Sequence, residues 1–235
     1  MNGRALLVHG LGSSPDGWWR VRGWLDEAGW QTDTVTLIGH GGRDAAPDYA
    51  LDSYVADVRA ATAGARPYDL VVAHSLGGTV ATVIAADDPG WTRRLVLLDP
   101  VWYVPPDQLL VVADDQASDL LATPESLRAA KPHWDDRDRA AKLAAIAEVD
   151  PAAPRRTFAD PDRWDVRDAA GRIPQPTLVL GADPAVYTML EPADAEAARR
   201  TAPAMEYRIV PGAGHSPHRD VPGATRTLLL EWLDR

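Results

Sequence analysis

Five loops of the chain carry residues whose types can do chemistry together. They are His9-Gly10-Leu11-Gly12-Ser13-Ser14, His74-Ser75-Leu76-Gly77-Gly78, Asp99-Pro100, Gly181-Ala182-Asp183-Pro184 and Gly212-Ala213-Gly214-His215-Ser216. Nucleophilic acyl transfer needs a hydroxyl, an imidazole to take its proton and a carboxylate to orient the imidazole. Ser75 is the candidate nucleophile, because the apolar run Val71-Val72-Ala73 leads into it and Leu76-Gly77-Gly78 follows. A serine in that position can also serve only as the N-cap of the next helix. The histidine-bearing glycine turns at residues 9–14 and 212–216 favour the nucleophile, with His215 as its base. Asp183 is the first choice for the acid and Asp99 the alternative, although each also reads as an Asp-Pro turn starter. Of the other histidines, His9, His40 and His74 are expected to orient loops. His218 reads as a surface-loop residue and His133 as solvent-facing.

The elements needed to bring these loops together are legible as an alternation of short apolar runs and amphipathic stretches. Strands are expected at 5–8, 34–38, 69–73, 94–98, 177–180 and 205–210. Helices are expected at 17–27, 51–63, 76–86, 192–201 and 222–233. The stretch 76–86 is apolar nearly all round, as in a helix buried inside a layered protein. Between Val101 and Arg172 no strand pattern appears, and 109–121, 124–130 and 137–149 have helical spacing. The expected fold is α/β: a mostly parallel twisted sheet of about six or more strands, helices on both faces and a helical cap insertion. The core then comprises 1–100 and 173–235, and the cap 101–172. Right-handed crossovers put every strand C-terminus, and hence all five loops, along one edge of the sheet.

At the tight strand-to-helix turn, small residues two positions either side of Ser75 allow close approach; here they are Ala73 and Gly77. The Leu76 amide, at the start of the helix, and the Leu11 amide in the first glycine turn are candidate oxyanion donors. Taken together, His9-Gly10, A-H-S-L-G-G and G-A-G-H-S resemble the α/β-hydrolase family over nearly the whole chain outside the insertion. That family usually has G-x-S-x-G, so Ala73 departs from its pattern while remaining small enough for the turn. The resemblance implies the triad order Ser75, Asp183, His215 and a variable cap over the site. It implies a serine hydrolase with a short cap, esterase- or lactonase-like, acting on a small uncharged carboxylic ester or lactone. The opening H-G-L-G-S-S-P-D-G-W-W also resembles the compact methylesterase and hydroxynitrile lyase group, and carbon–carbon bond hydrolases use the same triad. A dehalogenase is disfavoured, because that branch carries aspartate where Ser75 stands. A small-molecule receptor or carrier on this fold is the non-enzymatic alternative.

Trp102, Tyr103 and Trp134 are candidate substrate-lining residues, with Trp102 and Tyr103 equally able to anchor the hinge of the insertion. Trp164 is expected to pack the cap on the core. The stretch Asp135-Asp136-Arg137-Asp138-Arg139 reads as a solvated helix start, its negative charge placed at the N-terminal end. The 235 residues hold no cysteine, which removes disulfides and thiolate chemistry and fits a cytoplasmic setting. A net charge of −10 opposes nucleic acid and anionic membrane as partners. It also suggests a substrate that is not strongly anionic. Residues 1–8 lack the shape of a signal peptide, and no run approaches the roughly 18 apolar residues of a membrane span. No metal cluster or cofactor motif is expected. The partner is a small molecule and the chain a monomer or homodimer.

Overall fold

A computed structural model describes residues 3–65, 67–161 and 164–235. The reading of the first two residues, and the positions of Arg66, Asp162 and Arg163, lie outside the described residues. Strand β1 (Gly3–Val8) is followed by a short 3₁₀ turn, Pro15–Trp18, and helix α1 (Trp19–Glu27). Then come β2 (Trp30–Val35), α2 (Leu51–Thr62), β3 (Leu70–His74), α3 (Ser75–Asp87) and β4 (Leu95–Leu98). After a long insertion the alternation resumes with β7 (Thr177–Gly181), α9 (Pro192–Thr201) and β8 (Met205–Ile209). It closes with the short α10 (Pro217–Asp220) and α11 (Pro222–Leu233).

Among the described residues the main sheet has six strands in the order β2-β1-β3-β4-β7-β8, every pair parallel. The inner strands β3, β4 and β7 are buried along their whole length. This is why they read as continuous apolar runs rather than alternating ones. Their side chains still alternate between faces. Val71, Ala73, Leu95, Leu97 and Val179 pack toward α2, α3 and α9. Leu70, Val72, Val96, Leu98, Leu178 and Leu180 pack toward α1 and α11. Fully burying each such aliphatic side chain contributes about 1.5–3 kcal/mol, so the two layers hold the sheet rigid behind the site. The expected second strand at 34–38 is β2, shifted N-terminally, because pairing with β1 runs from Gly3↔Trp30 to Val8↔Val35. Chain order reverses between β1 and β3, which opens a crevice at their carboxyl ends.

The insertion between β4 and β7 carries α4 (Leu109–Ser118), α5 (Pro124–Ala130), α6 (Asp136–Ala147), α7 (Ala153–Ala159) and α8 (Arg167–Ala170). It also holds two short strands that its composition did not suggest, β5 (Tyr103–Val104) and β6 (Trp164–Asp165), paired antiparallel. Two-residue strands are too short to leave an alternating pattern. The start of α5 follows from a reciprocal Thr123–Ser126 capping box with Pro124 in the first turn. Asp135 caps α6 by accepting from the Arg137 amide.

The acidic start of α6 is not simply solvated. Asp138 is fully buried and accepts from Trp19 Nε1 at 2.8 Å and Arg20 Nε at 3.0 Å. It is therefore a tie between the insertion and α1. Trp102 is likewise an anchor: it is wholly buried and its Nε1 donates to Thr82 Oγ1 on α3 at 3.0 Å. Trp164 packs on Phe158 and donates to the Val101 carbonyl.

Candidate active site

Ser75 begins α3 directly after β3, with φ at +53°. A non-glycine residue in the left-handed region is uncommon and costs conformational energy, so the surroundings must enforce it. They do so by close packing. A Cβ on Gly77 would lie 2.3 Å from the His9 carbonyl oxygen and 2.5 Å from that of Val8. One on Gly10 would lie 2.8 Å from the Ser75 Cβ. Helix α3 thus rests against the backbone at the end of β1, and glycine at position 77 is obligatory. Position 73 is less demanding: Ala73 is fully buried, its small side chain accommodated in the layer beneath α3.

His215 Nε2 lies 2.8 Å from Ser75 Oγ, and its Nδ1 lies 2.6 Å from Asp99 Oδ2. Nδ1–H donates to the carboxylate, which leaves Nε2 free to accept the serine proton. Asp99 is fully buried. It also accepts from the Ala182 amide at 3.0 Å, the Met189 amide at 2.9 Å and Thr188 Oγ1 at 2.7 Å. These donors keep the ionised carboxylate satisfied in a dry site. Like Ser75 it has positive φ, +41°. Two adjoining loops thus hold strained residues at the same centre.

Asp183, the first choice for the acid, does not reach the histidine. Its carboxylate accepts from the Gly212 amide at 2.8 Å and the Ala185 amide at 2.9 Å, and the first of these bonds holds its pKa below the ordinary value. The physical reason is the short spacing after β7. The Ala182 amide is tied to Asp99, so the next residue is carried past His215 to the base of the loop that bears it. Asp183 braces that loop, and its own amide donates to Ala213.

The remaining histidines form a frame. The Leu37 amide donates to His9 Nε2, so His9 carries its proton on Nδ1 and donates to the Gly10 carbonyl. His40 repeats this, accepting from the Gly12 amide and donating to Ile38. Burial pushes the His9 pKa down to about 3 and the His40 pKa down to about 4. His74 Nε2–H donates to the His215 carbonyl at 2.7 Å, and burial drives it well below the usual histidine range. His218 is not on the surface: it is buried, stacked on Trp18 with ring centres 5.0 Å apart. His133 is half-exposed and bonds to Asp220.

The Leu11 amide has no protein acceptor among the described residues. The Leu76 amide lies in the first turn of α3, where no intrahelical carbonyl is available. A cavity of about 410 Å³ opens beside Ser75 and His215, with Leu11, Trp134 and the half-exposed Tyr187 among its lining residues. Trp134 is among the lining residues, whereas Trp102 and Tyr103 are not. Tyr103 lies under the Arg167 guanidinium at 3.8 Å. Lys131, Lys142 and Arg219 also line the cavity, against Asp115 and Asp119. The cavity lining therefore carries both signs of charge, unlike the net acidity of the whole chain.

The model of the alpha/beta hydrolase family matches residues 5–227, and the chain belongs to that family of enzymes. It is 33% identical over 151 residues to lipase LipV of Mycobacterium tuberculosis, covering 63% of this chain and about half, 53%, of that protein. It is 29% identical over 231 residues to N-formylmaleamate deformylase of Pseudomonas putida, covering 93% and 84% of the two chains. Among solved structures, an N-formylmaleamic acid deformylase from Pseudomonas putida S16 superposes with a TM-score of 0.78 at 21% identity, covering 97% and 92%. No helix among the described residues is long and apolar enough to cross a membrane.

Proposed function

We propose that the chain is a serine hydrolase that cleaves a small carboxylic ester or lactone through an acyl-enzyme on Ser75. His215 Nε2 takes the hydroxyl proton as Oγ attacks the carbonyl carbon, and returns it to the departing alkoxide. Water then attacks the acyl-enzyme by the same route in reverse, releasing the acid and restoring Ser75. Asp99 fixes the imidazole with its proton on Nδ1 and stabilises the imidazolium that forms. The Leu11 and Leu76 amides are the proposed donors to the tetrahedral oxyanion, each worth about a hundredfold or more in turnover. The segment 101–172 acts as a cap over the cavity, and the enzyme is assigned to the cytoplasm. The observation that carries this reading is the unbroken Ser75–His215–Asp99 hydrogen-bond chain at the wall of a cavity of substrate size. The same machinery cleaves amides. The deformylase relative, matched over 93% of this chain, makes a small amide the second substrate class to assay.

The test is turnover of p-nitrophenyl acetate together with covalent labelling by a fluorophosphonate. Wild-type protein is expected to do both and Ser75→Ala neither. Folded wild-type protein that escapes labelling at Ser75 would overturn the reading and leave small-molecule binding in its place.

A further inference from the structure

Arg219 presents an unsolved problem in the cavity wall. Its side chain is only 5% exposed, yet among the described residues it makes one hydrogen bond, from Nη2 to Ser13 Oγ at 3.0 Å. Its buried Nε–H has no acceptor. A guanidinium carries five N–H donors, and a buried cation is costly unless a carboxylate answers it. The nearest acidic groups are committed elsewhere. Asp138 is held by Trp19 and Arg20. Asp220 accepts from Trp134, His133 and the Ser216 amide. Arg219 lies over the Trp134 ring at 5.2 Å, which steadies the guanidinium without neutralising it.

Lys142 adds a second cation on the same wall. Its Nζ donates to the Gly12 carbonyl at 3.2 Å and lies 3.3 Å from Asp119, a carboxylate that is half in solvent. That partner is screened and displaceable. Both cations are tethered to the loop 11–13, which also bears the Leu11 amide. Burial lowers the pKa of each, the sign of a positive charge held short of solvation.

We propose that Arg219 and Lys142 form a carboxylate-binding subsite, so that the substrate of the Ser75 reaction carries a second, ionised carboxylate. A carboxylate answers a guanidinium with two parallel charge-assisted bonds, and the ammonium beside it supplies a further donor. The inference rests on the Ser75 reading for its reaction but not for its binding step.

The test compares monoethyl glutarate and 4-acetoxybutanoate, which carry the free carboxylate on the acyl and alcohol sides, each with its isosteric primary amide. The wild-type enzyme is expected to favour at least one acid over its amide by about tenfold or more in kcat/KM. Arg219→Gln should abolish that ratio and Lys142→Met should reduce it. If Arg219→Gln does not fold, the wild-type and Lys142→Met ratios decide. Ratios near one for both pairs, with p-nitrophenyl acetate still hydrolysed, overturn the subsite and leave Ser75 standing. If p-nitrophenyl acetate is not turned over, calorimetric titration of Ser75→Ala with glutarate reads the subsite alone. Binding that Arg219→Gln or Lys142→Met weakens supports it, and no binding overturns it.

Discussion

At the scale of single residues, Asp99 and Asp183 divide two tasks that one aspartate was expected to perform. Asp99 touches the imidazole at 2.6 Å, whereas Asp183 touches the backbone of the loop that carries it. Asp99→Asn is expected to lower kcat by about 10³–10⁴, because an amide in that place favours the wrong histidine tautomer. Asp183→Asn leaves one oxygen to accept from the loop and should cost about tenfold or less. Steady-state kinetics on p-nitrophenyl acetate rank the two, and the reverse order would return the acid to Asp183. The sequence exposed both candidates and ranked Asp183 first, whereas the acceptor of the His215 Nδ1–H bond is Asp99. β4 and β7 are neighbours in the sheet, so both acids emerge beside His215. The choice lies in their partners: Asp99 is held against His215 by the Ala182 and Met189 amides, whereas Asp183 is held by the Ala185 and Gly212 amides.

At the scale of elements, the site depends on how closely α3 sits on β1 and on how the insertion is fastened to the core. The first was legible, since glycine at 77 and small alanine at 73 have few other uses in a buried turn. The second was not. Asp138 looked like one more acid in a charged helix start, and no local pattern marks it as the partner of Trp19 and Arg20, more than a hundred residues away. Asp138→Ala should destabilise the fold by about 1–3 kcal/mol, measured by urea denaturation, because it removes the acceptor of the Trp19 indole N–H and the closer of the two carboxylates paired with Arg20. Asp136→Ala, whose carboxylate is 84% exposed, should change stability by no more than about 0.5 kcal/mol. Equal effects would show that α6 is not pinned through Asp138.

At the scale of the whole molecule, His9, His40, His74 and His218 are buried near Ser75 and His215, and burial lowers the pKa of each. The ordinary histidine pKa is 6.5, and folding lowers that of His9 to about 3 and that of His40 to about 4. Between those values and 6.5 the unfolded chain binds more protons than the folded one. Stability is therefore complete above pH 6.5 and falls as pH drops below it. From pH 7 to 5 the loss is on the order of 2 kcal/mol for His9 alone, with a similar amount from His40. The thermal midpoint should fall steeply over that range, and His9→Asn should flatten the slope. A midpoint independent of pH between 7 and 5 would show that these imidazoles are not held neutral by folding.

The sequence by itself determined the layered α/β architecture and the two loops that carry Ser75 and His215, the proposed nucleophile and base. Strand and helix periodicity are local, and a serine between a buried strand and a glycine-flanked helix has few alternatives. Tertiary structure alone decided which carboxylate backs His215, that Trp102 anchors the insertion and Trp134 lines the cavity, and that His218 is buried. It also decided which charged groups line the cavity. Net charge is a sum over the surface, whereas the field in a cavity is set by the few groups that packing turns inward. In this acidic chain those groups include the buried Arg219 together with Lys142, Lys131, Asp115 and Asp119.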